Sequence, residues 1–231
     1  MNHLTYKAVF FDLDGTLLYT LPDIARAVNH ALRTQGLPVH PVEAFKSKVG
    51  WGLDETIRLA LPEELQSSAA ESGLLDQLIR ELINEYRRSP YQLTTPYDGI
   101  PEMLEELQRR NIHMAILSNK EHVLTTTIVA DLFPHISFLA VQGVADSVPP
   151  KPELTGVQRL LRAAEAASEE VVYVGDSSVD MQTARGAELY PIGVEWGYRP
   201  VEELREYGAE LILEKPGDLL NLFPDLLLDR T

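Results

Sequence analysis

Ala8-Val9-Phe10-Phe11-Asp12-Leu13-Asp14-Gly15-Thr16 is the stretch whose reading decides the fold. Its first four residues form the apolar run that a buried strand requires. Two acids follow, two positions apart. Side chains alternate along extended backbone, so Asp12 and Asp14 fall on one side and Leu13 on the other. In an open α/β sheet, ligands bind beyond the carboxyl ends of the strands. Gly15 permits a sharp turn there, and Thr16 adds a hydroxyl. Such a strand end suits cation binding, attack on an electrophile and proton transfer. The same residues also suit a capped strand end with two solvated acids, so the downstream pattern has to decide between them.

Composition narrows the partners. A chain of 231 residues suffices for one large domain or one domain with an insert, and 45% hydrophobic content supplies a full core. The 20 basic and 35 acidic side chains leave a net charge of −15, which argues against nucleic acid, whose backbone needs a basic footprint. The same charge repels a bare phosphate unless a metal and a local lysine reverse the field. Cysteine is absent, which excludes disulfides, thiol nucleophiles and zinc–thiolate sites. No run is long enough to span a bilayer and the amino terminus has no signal-peptide pattern, so a soluble cytoplasmic protein with no membrane partner is expected. The oligomeric state is left open.

Two textures alternate along the chain. Residues 1–16 and 92–231 read as strand-then-helix units, with β-type runs at 113–117, 136–141, 171–174, 190–194 and 210–213. Leu154, Val157, Leu160, Leu161 and Ala164 recur at helical spacing, as do Met103, Leu104 and Leu107, and Pro101 stands where a helix starts. Alternating β and α predicts an α/β fold: a parallel, Rossmann-like sheet with helices on both faces. Residues 17–91 show no strand pattern. Ile24, Ala27, Val28, Ala31 and Leu32 form one helical stripe, and Leu74, Leu75, Leu78, Ile79, Leu82, Ile83 and Tyr86 a broader one. Ser89-Pro90-Tyr91-Gln92-Leu93-Thr94-Thr95-Pro96 has the composition of a linker. The pattern predicts a catalytic core of residues 1–16 and 92–231 with an α-helical cap at 17–91, placed to act as a lid.

Three further strand ends carry chemistry. Ile116-Leu117-Ser118-Asn119-Lys120 ends in small polar groups, with a helix expected near Glu121. Ser118 and Asn119 suit an anion at a helix amino terminus, and equally an ordinary N-cap. Val148-Pro149-Pro150-Lys151-Pro152 fixes a lysine between prolines, and pre-positioning a flexible cation lowers the entropy cost of using it. A proline-stiffened loop with a solvated lysine has the same sequence. Val171-Val172-Tyr173-Val174-Gly175-Asp176-Ser177-Ser178-Val179-Asp180 ends another buried strand in an acid, with a second acid one helical turn on. Asp12, Asp14 and Asp176 together would make a sparse oxygen site for Mg2+.

With these pieces in order, the chain resembles the haloacid dehalogenase-like phosphohydrolases, and within them the phosphoglycolate phosphatase-type branch with a helical cap. The family's four motifs match Asp12-Leu13-Asp14-Gly15-Thr16, Ser118, Lys151, and Gly175-Asp176 with Asp180. Looser branch signals are Thr95-Pro96-Tyr97-Asp98-Gly99-Ile100, Ile192-Gly193-Val194-Glu195-Trp196-Gly197-Tyr198, and the cap loop Val49-Gly50-Trp51-Gly52. The resemblance implies a Mg2+-dependent hydrolase of small phosphate monoesters. Asp12 would be the nucleophile that forms an aspartyl-phosphate, and Asp14 the acid and then the base. Asp12, the backbone oxygen of Asp14, and Asp176 would hold Mg2+. Gly15, Thr16, Ser118, Asn119 and Lys151 would hold the phosphoryl group, with Asp180 supporting Lys151 or the metal. Trp51 is the candidate for leaving-group selection, with ordinary cap packing as its other reading. Tyr19-Thr20 departs from the branch, which usually has Asp-Ser there.

A phosphosugar mutase would share the aspartyl-phosphate, and a pyrophosphatase would suit the same core. A dehalogenase needs neither Asp14 nor Asp176, and a non-catalytic binding module needs fewer of the motifs than are present. The particular ester is not selected by any residue of the chain.

Overall fold

A computed structural model of the chain describes residues 6–88 and 91–224. Ser89 and Pro90 of the expected linker lie outside the described residues. In chain order the elements begin with β1 (Ala8–Phe11), β2 (Leu18–Tyr19), α1 (Leu21–Thr34), α2 (Leu53–Ala60), α3 (Glu63–Gln66) and α4 (Leu74–Arg88). Next come β3 (Thr95–Pro96), α5 (Ile100–Arg109), β4 (His113–Glu121), α6 (His122–Leu132), β5 (Ala140–Val144) and α7 (Thr155–Ala164). The last are β6 (Val171–Gly175), α8 (Ser178–Gly186), β7 (Tyr190–Val194), α9 (Val201–Glu206) and β8 (Leu211–Leu213).

Six strands form one sheet in the order β5-β4-β1-β6-β7-β8, and every pairing in it is parallel. This is the α/β, Rossmann-like architecture that the alternation predicts. Helices cover both faces, so β1 reads as an unbroken apolar run rather than an alternating one. Val9 and Phe11 join Val172, Val174, Met114 and Ile116 in one core cluster. Ala8 and Phe10 face the other way, onto Ala115, Leu117, Val171 and Tyr173. Full burial of a side chain such as Phe10 stabilises by roughly 1.5–3 kcal/mol. β1 lies between β4 and β6, where the order of connections reverses. A crevice therefore opens at the carboxyl ends of these three strands.

The helices between β2 and β3 pack chiefly on one another. Leu21, Ile24, Ala27, Val28, Ala31 and Leu32 of α1 are buried with Leu78, Leu82 and Tyr86 of α4. Two local expectations shift. Leu18 and Tyr19 are not the start of the helical segment but a short strand, antiparallel to Thr95 and Pro96. Two residues are too few to show a side-chain period. The strand expected at 136–141 starts instead at Ala140 and ends at Val144. Ile136 and Phe138 pack on the core from the preceding loop, so their apolar character reflects burial without strand geometry. β4 also runs on to Glu121, carrying Ser118, Asn119 and Lys120 inside the strand.

Candidate active site

The crevice gathers side chains from three strand ends. Asp12 follows β1, Asp176 follows β6, and Lys151 reaches in from the loop after β5. The Lys151–Pro152 peptide is cis. Lys151 is buried, and its Nζ lies 2.6 Å from Asp12 Oδ1 and 2.7 Å from Asp180 Oδ1. Burial opposes its charge, but Asp12 and Asp180 outweigh that and hold the ammonium well above the usual lysine range. Asp180 is the third residue of α8. Its Oδ2 accepts from Ser177 N at 3.1 Å and Ser177 Oγ at 2.6 Å, a reciprocal cap that fixes the helix start. Asp180 thus bonds Lys151 through Oδ1 and the start of α8 through Oδ2, so both of its oxygens are engaged.

Oxygens of Asp12, Asp176 and Asp180 lie within 4.8 Å of one another, all buried. Burial, with repulsion from Asp180 and Asp14 against the pull of Lys151, pushes the Asp12 carboxyl up to about 7. Burial, then Asp12 and Asp180, drives Asp176 well above its usual range. Among the described residues, the cations paired with Asp12, Asp14 and Asp180 are the ammonium groups of Lys151 and Lys120, and Asp176 adds a further acid beside them. That surplus of negative charge, on hard oxygens with no soft ligand, fits a divalent cation of the Mg2+ type. With Asp180 engaged, Asp12 and Asp176 are the carboxylates left to hold it.

Asp14 turns away from that cluster. Its Oδ1 pairs with Lys120 Nζ at 3.1 Å. Lys120 is buried, its Nζ donates to Tyr86 Oη of α4 at 3.1 Å, and it sits 4.9 Å from the centre of that ring. Burial opposes its charge as well, and Asp14 and Tyr86 more than restore it. Lys120 is the residue that sequence reasoning missed. The only signal was a lysine directly after the polar pair Ser118-Asn119.

The remaining candidates divide. Gly15 adopts φ +89°, and a Cβ there would stand 2.2 Å from Asp176 Oδ2, so only glycine fits. Its N–H is spent on Leu18 O at 2.9 Å. The buried Thr16 hydroxyl has no partner among the described residues. Ser118 Oγ accepts from Lys120 N at 3.1 Å and lines the cavity. The side-chain amide of Asn119 is engaged within the chain. Its Oδ1 accepts from Lys151 N at 2.7 Å, and its Nδ2 donates to Gly50 O at 2.9 Å and Lys151 O at 3.3 Å. Both donors are used in holding the lysine loop and the cap loop together. Arg199 Nη2 clasps the adjacent carbonyl, Val49 O, at 2.9 Å.

Asp12, Asp14, Ser118, Lys120, Gly50 and Gly52 line a cavity of about 30 Å³ between the sheet and the cap loop. Trp51 is not among its walls. It is 41% exposed and lines an outer cleft of about 240 Å³ with Leu53, Ile83, Leu124 and Pro150. The direction in which Trp51 leaves the loop is set by backbone geometry that its residue type does not reveal.

The chain resembles known proteins in sequence and fold. The family model described as haloacid dehalogenase-like hydrolase matches residues 9–194. The chain belongs to the haloacid dehalogenase-like hydrolases. Among relatives in that family, the phosphoglycolate phosphatase of Vibrio parahaemolyticus is 30% identical over 224 residues, covering 96% of this chain and 98% of its own. The phosphoglycolate phosphatase of Pseudomonas syringae pv. syringae is 28% identical over 222 residues, covering 96% and 80%. A crystal structure from Lactobacillus delbrueckii subsp. bulgaricus, provisionally named phosphoglycolate phosphatase, has a TM-score of 0.86 at 27% identity, covering 95% of this chain and 98% of that one. This member of the haloacid dehalogenase-like hydrolases is a phosphatase. No helix among its described residues is long and apolar enough to cross a membrane.

Proposed function

We propose that the chain hydrolyses a compact phosphate monoester of the phosphoglycolate type, with residues 17–91 as the lid. The observation that carries the reading is the bonding of Lys151 to both Asp12 and Asp180 beside a cavity lined by the cap loop. An Asp12 oxygen attacks phosphorus and the ester P–O bond breaks, with Asp14 giving its proton to the leaving alcohol. Water then attacks the phosphorus of the aspartyl-phosphate. Asp14 takes up its proton, the P–O bond to Asp12 breaks, and inorganic phosphate leaves. Lys151 steadies the charge on the phosphoryl oxygens, with Ser118 and the Thr16 hydroxyl as further donors. Mg2+ held by Asp12, the Asp14 backbone oxygen and Asp176 would neutralise charge on the transferring group. The relatives named phosphoglycolate phosphatase favour a short leaving group.

Phosphate release across a panel of small phosphorylated acids, sugar phosphates, nucleotides and pyrophosphate tests this reading, with and without a chelator. The expected result is Mg2+-dependent turnover that is fastest on the shortest carboxylated ester. Undiminished turnover in chelator at verified metal content would remove the cation, and a preference for bulky esters would remove the substrate assignment.

A further inference from the structure

Helix α1 leads the chain into the helical segment, and its first turn lacks the expected cap. Thr20 holds the N-cap position, but its side chain caps no backbone amide of the helix. Helix starts leave N–H groups in need of acceptors, and a buried unpaired N–H is costly. The acceptor here comes from the far end of the chain. Tyr198 Oη lies 2.9 Å from Thr20 N and 3.1 Å from Leu21 N, with the Thr20 hydroxyl at 3.1 Å. Tyr198 is 7% exposed, and its ring meets Tyr19 of β2 edge-on at 6.3 Å.

The same residue also holds the candidate cation site. Tyr198 N donates to Asp176 Oδ2 at 2.7 Å. Next to it, a Cβ on Gly197 would fall 2.3 Å from Asp176 Cβ, so the loop lies flat against this acid. Trp196 Nε1 donates to Thr16 O at 2.9 Å and fastens the loop to the turn after β1. This loop lies beyond the residues that the family model matches.

We propose that Tyr198 is a positioning residue that ties the start of α1 to Asp176, so that the set of the helical segment and the set of the cation-holding carboxylate change together. One side chain and one backbone amide of a single residue carry both ends of the link. A tilt of α1 at Thr20 must either break the phenol's hydrogen bonds or move the loop whose amide holds Asp176. The proposal rests on the reading of Asp176 as a cation ligand, but the link itself is a matter of contacts.

Tyr198→Phe tests it by deleting the acceptor while keeping the ring and the amide. Amide hydrogen exchange on the metal-free chain should quicken at Thr20 and Leu21 by about tenfold in Tyr198→Phe, with α7 unchanged. Asp176→Ala, which leaves the Tyr198 amide without its acceptor, should quicken the same two amides by about threefold from the other end. Mg2+ binding followed by calorimetry should weaken by about threefold or more in Tyr198→Phe, although no ligand has been altered. A merely structural tyrosine would lower thermal stability and leave that affinity alone. Parental exchange at Thr20 and Leu21 in Asp176→Ala, or parental Mg2+ affinity in a folded Tyr198→Phe, overturns the link. If the parental chain binds no Mg2+, the cation reading fails, and the exchange comparison alone decides whether the link exists.

Discussion

Lys151 and Lys120 are both buried, and both face an acid of the same Asp12-Leu13-Asp14 pair, yet they are held in different ways. Lys151 bonds Asp12, which directly follows β1, and Asp180, in the first turn of α8. Lys120 bonds Asp14 from the sheet but Tyr86 from α4. The first lysine makes its side-chain ion pairs only to acids outside the helical segment, Asp12 and Asp180. The second is fully partnered only when α4 is in place. The difference gives the two acids different surroundings: the cation at Asp12 is held by acids outside the helical segment, whereas the cation at Asp14 also bonds α4.

The strongest way to break the contrast is Lys151→Met. It strands Asp12 and Asp180 without a cation, so turnover should fall on the order of 10³-fold. Stability should fall by roughly 3–5 kcal/mol, the usual cost of halving a buried ion pair, as read by urea denaturation. Lys120→Met should cost less, about 10–100-fold in kcat, because Asp14 is partly exposed and water can replace the lost partner. The loss should be larger for alkyl than for aryl phosphates, since the alkyl leaving group depends more on protonation. Equal losses for both would show that Lys120 does not act through Asp14. Tyr86→Phe removes only the hydrogen bond from α4 and should cost about threefold under the same assay. Arg87→Ala, which breaks an exposed pair with Glu121 across the same junction, should shift stability by no more than about 0.5 kcal/mol.

A pH series sharpens the Asp12 side of the comparison. The Asp12 carboxyl is raised from 3.8 to about 7 by its burial. Between those values the folded chain retains a proton that the unfolded chain has lost. Its contribution to stability is thus complete below the unfolded value and lost as pH rises through about 7. Melts of the metal-free protein from pH 4 to pH 8 should decline, and Asp12→Asn should flatten the decline while abolishing turnover. An unchanged slope in Asp12→Asn would place the burden on other groups.

The sheet was legible because strands buried on both faces leave unbroken apolar runs, as at Val171-Val172-Tyr173-Val174. β5 was misplaced because Gln142 and Gly143 at the sheet edge carry no such run, whereas Ile136 and Phe138 in the loop do. The acids of the site were legible for a related reason: a carboxylate that ends an apolar strand has few purely structural uses. Lys120 and Tyr198 were not. Their partners arrive from 34 and 178 positions away, and no local pattern records a contact made only by the completed fold. Asn119 was seen as a polar strand end, but the direction of its side chain, toward Gly50 and Lys151, depends on the cap loop lying over it.

That docking of the cap loop has a consequence for engineering. Arg199 and Asn119 grip Val49 and Gly50 by their carbonyl oxygens, so the clasp does not read the side chains of the loop. Gly50 and Gly52 both sit at positive φ and have to stay. Trp51 between them is free of the clasp, so a library confined to position 51 explores new chemistry around the outer cleft without loosening the loop's anchorage. A handle made of main chain leaves the residue it carries open to selection.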